Sequence, residues 1–217
     1  MRIREFMGAD FEPLARMVGD EWHKEHGERA YWQGADELCA YLARADKGFV
    51  AHEETDDGEA DTAVLGVILV ASPLEEDHNS QLRMHWLQQR TIIASMANAL
   101  GINARAEAAL IHEEHELCER AGEQRGGECV GEVALIIVSK QARGAGVGRA
   151  LFAEGIGWLA EHGVQRVRLV TDDDCSWQVY EHLDMQRVLE AKSETCDGLG
   201  MRVYEAEASA LLRRLGV

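Results

Sequence analysis

Apolar positions along the chain follow two periods in turn. Ile3, Arg4 and Phe6 step in and out as a short strand does, and Phe11, Leu14, Met17 and Val18 then share one helix face behind an N-cap candidate, Asp10. The charged and aromatic stretch EWHKEHGERAYW separates this helix from a second over 35–45, which turns Leu38, Tyr41 and Leu42 inward. Residues 48–53 and 62–71 read as strands, and the polar turn TDDGEAD between them, with its Asp-Gly pair, predicts an antiparallel hairpin.

From 73 to 128 the strand pattern is broken for longer than an ordinary connection. Leu82, Trp86, Leu87, Ile92, Ile93 and Met96 predict a helix over 80–99, and Ala108, Leu110, Ile111 and Leu117 another over 104–120, before EQRGGE returns the chain through a flexible loop. Such a helical insertion suits a lid or a homodimer contact. The strand pattern resumes at 133–138. A helix over 146–162 follows, with Leu151, Phe152, Ile156 and Leu159 as its buried stripe and Gly163 closing it. Residues 164–171 form the next strand, parallel to 133–138 through a right-handed crossover. A short helix at 175–182, strands at 186–190 and 200–206 and a terminal helix over 207–217 complete the pattern.

The stretch EVALIIVSKQARGAGVGR, from Glu132 to Arg149, joins a strand to a helix through Gly144, Gly146 and Gly148. A helix start leaves backbone N–H groups without intrahelical partners, and glycines without Cβ atoms let an anion approach them, so phosphate oxygens fit here. A P-loop would need Lys followed by Ser or Thr after the glycines, and a dinucleotide turn would need G-x-G-x-x-G; this chain has neither. From Gln141 to Gly146 it resembles the Q/R-x-x-G-x-G/A signature of the GCN5-related N-acetyltransferase (GNAT) family. A second segment, DDCSWQVYEHLDM from Asp173, is similar to the family's N-x-x-A-x-x-L-Y-E-K-L-G-F, with Tyr180, Glu181 and Leu183 in register. It departs at Asp173 for Asn, at Ser176 for Ala, and at Asp184 and Met185 for Gly-Phe, which puts the turn after the short helix in question, since Asp tolerates a left-handed backbone less well than Gly. The resemblance covers about 131–190 well and does not extend to 73–128.

That resemblance implies an α/β fold with a mixed α+β sheet of about seven strands flanked by helices, in one N-acetyltransferase domain over 1–217 that carries the insertion. It implies transfer of an acetyl group from acetyl-CoA to a primary amine of a small molecule or peptide, by direct attack in a ternary complex and without a metal. It also implies that Ile136, Ile137 and Val138 offer backbone groups to the pantetheine arm, and that the main chain of Arg143, Gly144, Ala145, Gly146, Val147, Gly148 and Arg149 holds the pyrophosphate, with Asp173 beside the cofactor. Tyr180 takes the place of the general acid. Of the family's two base positions, one is Arg168 here, which cannot accept a proton, and the other is Glu132. The region between the first two helices borders the acceptor, making Glu21, Trp22, His23, Glu25 and Tyr31 substrate-site candidates. A non-catalytic acyl-CoA sensor on the same fold is the alternative, suggested by Asp173 and Arg168.

Composition narrows the partners. A net charge of −17 argues against nucleic acid and favours a cationic amine. It would also repel coenzyme A, unless Lys140, Arg143 and Arg149 relieve that field locally. No apolar run approaches the roughly 20 residues of a membrane span, and the N-terminal segment lacks a signal core, so a cytoplasmic location is expected. Five cysteines without a C-x-x-C pair indicate reduced thiols, and His112 and His115 lack the spacing of a zinc protease.

Overall fold

The computed structural model describes residues 1–23, 27–54, 63–74, 80–102, 105–123 and 130–217. The strands are β1 (Arg2–Glu5), β2 (Lys47–His52), β3 (Val64–Ala71), β4 (Val130–Val138), β5 (Arg166–Asp172), β6 (Gln186–Lys192) and β7 (Gly200–Glu207). The helices are α1 (Phe11–Trp22), α2 (Glu28–Arg44), α3 (Ser80–Ala99), α4 (Arg105–Glu123), α5 (Val147–Glu161), α6 (Gln178–His182) and α7 (Ala208–Leu215). Seven strands form one mixed sheet in the order β1-β2-β3-β4-β5-β7-β6. Every neighbouring pair is antiparallel except β4 and β5.

Alternation along the strands sends apolar side chains to both faces. Ile68, Val70, Leu169 and Tyr204 pack with Leu151, Phe152, Ile156 and Leu159 of α5 and Leu211 of α7. Val67, Leu69, Leu135 and Ile137 point the other way, against Leu14 and Val18 of α1 and Leu38 and Leu42 of α2. Helix α3 lies on α2, where Trp86 and Ile93 join that second cluster and Arg90 pairs with Asp36 at 3.1 Å. Helix α4 covers β5, β7 and β6, seating Leu117, Cys118 and Ala121 on Met201 and Val203. The insertion helices therefore share a face of the sheet with α1 and α2.

Helices α1 and α2 cross in backbone contact. A Cβ on Gly34 would stand 2.2 Å from the Ala15 carbonyl oxygen, and one on Gly19 would stand 2.2 Å from that of Ala30. Helix α2 also starts seven residues before the position expected from its apolar stripe, because Gly27 at φ 72° turns the chain directly into it. Asp10 precedes α1 without capping it. Its carboxylate instead accepts two bonds from the Arg4 guanidinium, both at 2.7 Å, and one from the Met7 N–H at 2.8 Å. The expected hairpin turn over 55–61, Glu25, Cys129 and the returning loop lie outside the described residues. His112 and His115 project from α4 toward Glu116 and Glu119, one turn further on.

Candidate active site at the parted strands

Parallel pairing of β4 and β5 is short. Val130 faces Arg166, Gly131 faces Val167 and Glu132 faces Arg168, after which the ladder stops. Beyond that point β4 stays with β3 as far as Val138, and β5 stays with β7 as far as Asp172. The sheet thus opens between two parallel strands. A bulge at Ala134, where the register against β3 shifts, bends β4 at the start of the opening.

The open edge of β4 can be assigned from its ladder. The Ser139 N–H donates to Leu65 of β3 at 2.8 Å, and antiparallel alternation then commits Ile137 to β3 and turns the N–H and C=O groups of Ile136 and Val138 toward the gap. The Val138 carbonyl accepts a bond from the Arg143 Nε at 3.3 Å, as an open-side group does.

The turn after β4 presents bare backbone. Gly144 and Gly146 adopt φ of 80° and 82°, and a Cβ at either would meet nothing within 4 Å. Among the described residues, no side chain fills the space at either position. Gly146 is the N-cap of α5, and among the described residues no backbone acceptor takes the N–H groups of Gly146, Val147, Gly148 or Arg149. The cations around this turn are engaged with the protein itself. Arg143 pairs with Glu21 of α1 at 2.7 Å, and Lys140 reaches Glu21 at 3.6 Å and the Asp20 carbonyl at 3.1 Å. Arg149 turns away to α7, donating to the Leu215 carbonyl at 2.9 Å. Its expected part in relieving the field at the turn therefore falls to Lys140 and Arg143, with its own main-chain N–H left at the helix start.

Tyr180 stands on α6, its ring centroid 6.2 Å from that of Phe152 and 5.7 Å from that of Tyr204. Burial, and then Cys175, push its phenol well above the usual tyrosine range, so it holds its proton through neutral pH. Asp173 is committed elsewhere. Its carboxylate accepts bonds from Arg202 at 2.7 Å and from the Gly200 N–H at 2.9 Å, tying the turn after β5 to β7. Asp184 does adopt the left-handed backbone that Gly would supply, at φ 57°, and pairs with Arg214. Arg168 is buried and pairs with Glu205 at 2.7 Å. Glu132 sits at the closed end of the gap with its carboxylate on Arg44.

The acceptor-side candidates divide. His23, half-buried, lies 3.4 Å from Glu37, and Trp22 lies 6.4 Å from Tyr41 between ring centroids. Tyr31 instead packs against Trp32 and under the Arg16 guanidinium. A group absent from these expectations, Glu114 of α4, joins Tyr41 here, accepting its hydroxyl at 3.0 Å. Its sequence signal is positional. Glu114 falls on the helix stripe of Leu110, Leu117, Cys118 and Ala121 that packs on the sheet, where a carboxylate is out of place.

A mixed sheet parted between its parallel strands, with a bare glycine turn leading into a helix at the opening, is an arrangement that can hold an extended ligand carrying an anionic group. The sequence model of the Acetyltransferase (GNAT) family matches residues 11–185. The chain belongs to that family. Its fold is similar to those of SsHAT (TM-score 0.61, 15% identity, 95% of this chain and 98% of that one), of an aminoglycoside 6'-N-acetyltransferase complexed with coenzyme A (0.57, 13%, 96% and 97%) and of Ard1 from Thermoplasma volcanium (0.56, 12%, 95% and 96%). No curated protein sequence matches the chain. Among the described residues, no helix is long and apolar enough to cross a membrane.

Proposed function

We propose that the chain is a single N-acetyltransferase domain that transfers the acetyl group of acetyl-CoA to a primary amine by direct attack. The observation that carries this is the opening between β4 and β5 beyond Glu132 and Arg168, with backbone groups of Ile136 and Val138 turned into it. An extended pantetheine arm adds there as a strand would, bonding Ile136 and Val138. The N–H groups at the start of α5 take the pyrophosphate, aided by the helix dipole. A β4 amide at the gap polarises the thioester carbonyl as an oxyanion donor. Tyr180 protonates the departing thiolate; its burial keeps the proton in place at the cost of acid strength.

Among solved structures of this fold are one complexed with coenzyme A and one of the NatC complex bound to a Gag peptide and CoA, which supports both the cosubstrate and an amine of small-molecule or peptide origin. The acidic chain favours a cationic acceptor. The two departures that suggested a sensor have structural roles, since Asp173 holds Arg202 and Arg168 holds Glu205. Thiol release from acetyl-CoA, measured with spermidine, kanamycin, free amino acids and a peptide with a free N-terminus, tests the proposal. Amine-dependent release is expected with at least one of them, and acetyl-CoA binding without release from any would overturn it.

A further inference from the structure

Helix α4 runs back along β5 and against α2, and two sets of contacts fix its course. At the closed end of the gap Arg168 donates to the Cys118 carbonyl at 3.0 Å. At the open end Glu113 accepts bonds from the Ser193 hydroxyl at 2.7 Å and from the N–H groups of Glu194 and Thr195 at 2.6 and 3.3 Å, in the connection between β6 and β7. Between these anchors Glu114 turns inward. The residue is largely enclosed by protein without being fully buried. The Tyr41 hydroxyl orients one carboxyl oxygen. Asp172, the last residue of β5, lies close enough to act on it. Cys175, in the turn that follows, lies close enough to interact with both Glu114 and Tyr180.

We infer that Glu114, supplied by the helical insertion, is the proton acceptor for the attacking amine; this rests on the transferase function proposed above. The alternative carboxylate, Glu132, is held by Arg44 at the closed end, where the two strands are still paired.

The chemistry suits the position. The Glu114 carboxyl is raised to about 7 in all: burial pushes it up most, Tyr41 and Arg44 pull it down, and Asp172 and Glu37 push it up. Cys118 and Cys175, the thiols near enough to feel its charge, are held protonated by burial. An alkylammonium of pKa near ~10.4 gives up its proton to such a carboxylate at far smaller cost than to an ordinary one near ~4.3. In the step itself the ammonium loses one proton to Glu114, which later passes it to solvent. The nitrogen lone pair forms the N–C bond at the thioester carbonyl. The C–S bond breaks, its electron pair leaves on sulfur, and a proton from Tyr180 completes the free thiol. The second nitrogen proton restores the Tyr180 hydroxyl, so amide and thiol are the products.

The test is the pH dependence of kcat with saturating acetyl-CoA and spermidine, or whichever amine of the panel gives release, from about pH 5.5 to about 9.5. Wild-type enzyme is expected to gain rate through an apparent pKa near 7 and then level off, following the Glu114 carboxyl. Glu114→Gln keeps an acceptor for Tyr41 and is expected to lose that limb and about 100-fold in kcat, with the KM for acetyl-CoA within about twofold. Tyr41→Phe is expected to keep the limb and move it to higher pH, because the carboxylate loses a donor. A Glu114→Gln enzyme with an unaltered limb and rate would overturn the inference, as would a Tyr41→Phe limb that stays in place should Glu114→Gln fail to fold. Absence of release by wild type with every amine overturns the transferase function instead, and is seen before any variant is made.

Discussion

Glu132 of β4 stands opposite Arg168 of β5, and theirs is the last paired position before the two parallel strands part. Each side chain is spent on holding that vertex: Arg168 bonds Glu205 and the Cys118 carbonyl, and Glu132 holds Arg44 of α2. The opening is thereby braced from both sides, by α4 over β5 and by α2 over β4. Arg168→Ala is expected to take one of the paired arginines, beside Arg166, from the buried Glu205 carboxylate and to cost about 3 kcal/mol of stability. Urea unfolding checks this; a loss below about 1 kcal/mol would mean that the pair is not a brace.

Arg149 and Arg143 flank one turn but serve different partners. Arg149 satisfies end carbonyls of α7, so Arg149→Ala should lower stability by about 1 kcal/mol and leave acetyl-CoA affinity within about twofold. Arg143 sits at the turn itself, so Arg143→Ala should weaken acetyl-CoA binding several-fold, most visibly at low salt. Thermal unfolding and titration calorimetry on the two variants separate these roles, and the reverse pattern would exchange them.

Asp184 is the one non-glycine residue with positive φ among the described residues. Asp184→Gly should therefore leave stability unchanged or slightly higher, whereas Asp184→Ala, which both strains the backbone and drops the Arg214 pair, should lose about 1 kcal/mol. Equal melting temperatures for Gly and Ala would show that the turn relaxes out of the left-handed region.

The Glu114 carboxyl also links pH to stability. Its ordinary value near 4.5 rises to about 7 in the fold, so the folded state binds the proton more tightly than the unfolded one. The contribution of Glu114 to stability falls as pH rises between those two values, and stays level above them. Glu114→Gln removes the titration. Relative to wild type it should therefore gain about 3 kcal/mol between pH 4.5 and pH 8, measured as the change in unfolding free energy by urea. A wild-type to variant difference that does not change across that window would mean that Glu114 titrates normally.

Strands and the helices packed on them were legible because period and turn chemistry agree there. The apolar run into 133–138, the glycines after it and the stripe of α5 all specify one strand–turn–helix, and the structure places β4 and α5 accordingly. The insertion helices also matched their expected spans, since Trp86, Ile93 and Leu117 recur at helical spacing and are buried. Other features depend on contacts distant in sequence. The start of α2 is set by Gly27 and by close packing on α1, so its polar first turn carries no apolar signature. Arg149 reaches across to α7, 66 residues away in the chain. Glu114 resembles Glu113, Glu116 and Glu119 until its place on a buried stripe is considered, and Tyr41, its hydrogen-bond partner, lies 73 residues earlier.

Backbone donors at the turn into α5 gripping the pyrophosphate of acetyl-CoA are the central claim. Calorimetric titration of acetyl-CoA into wild type and Gly146→Val tests it most directly, because Gly146 holds φ 82° at the helix N-cap with open space where a Cβ would stand. Wild type should bind, and Gly146→Val, still folded by circular dichroism, should lose about 100-fold or more in affinity through steric closure of the anion site and backbone strain. Equal affinity in the two proteins would contradict the claim.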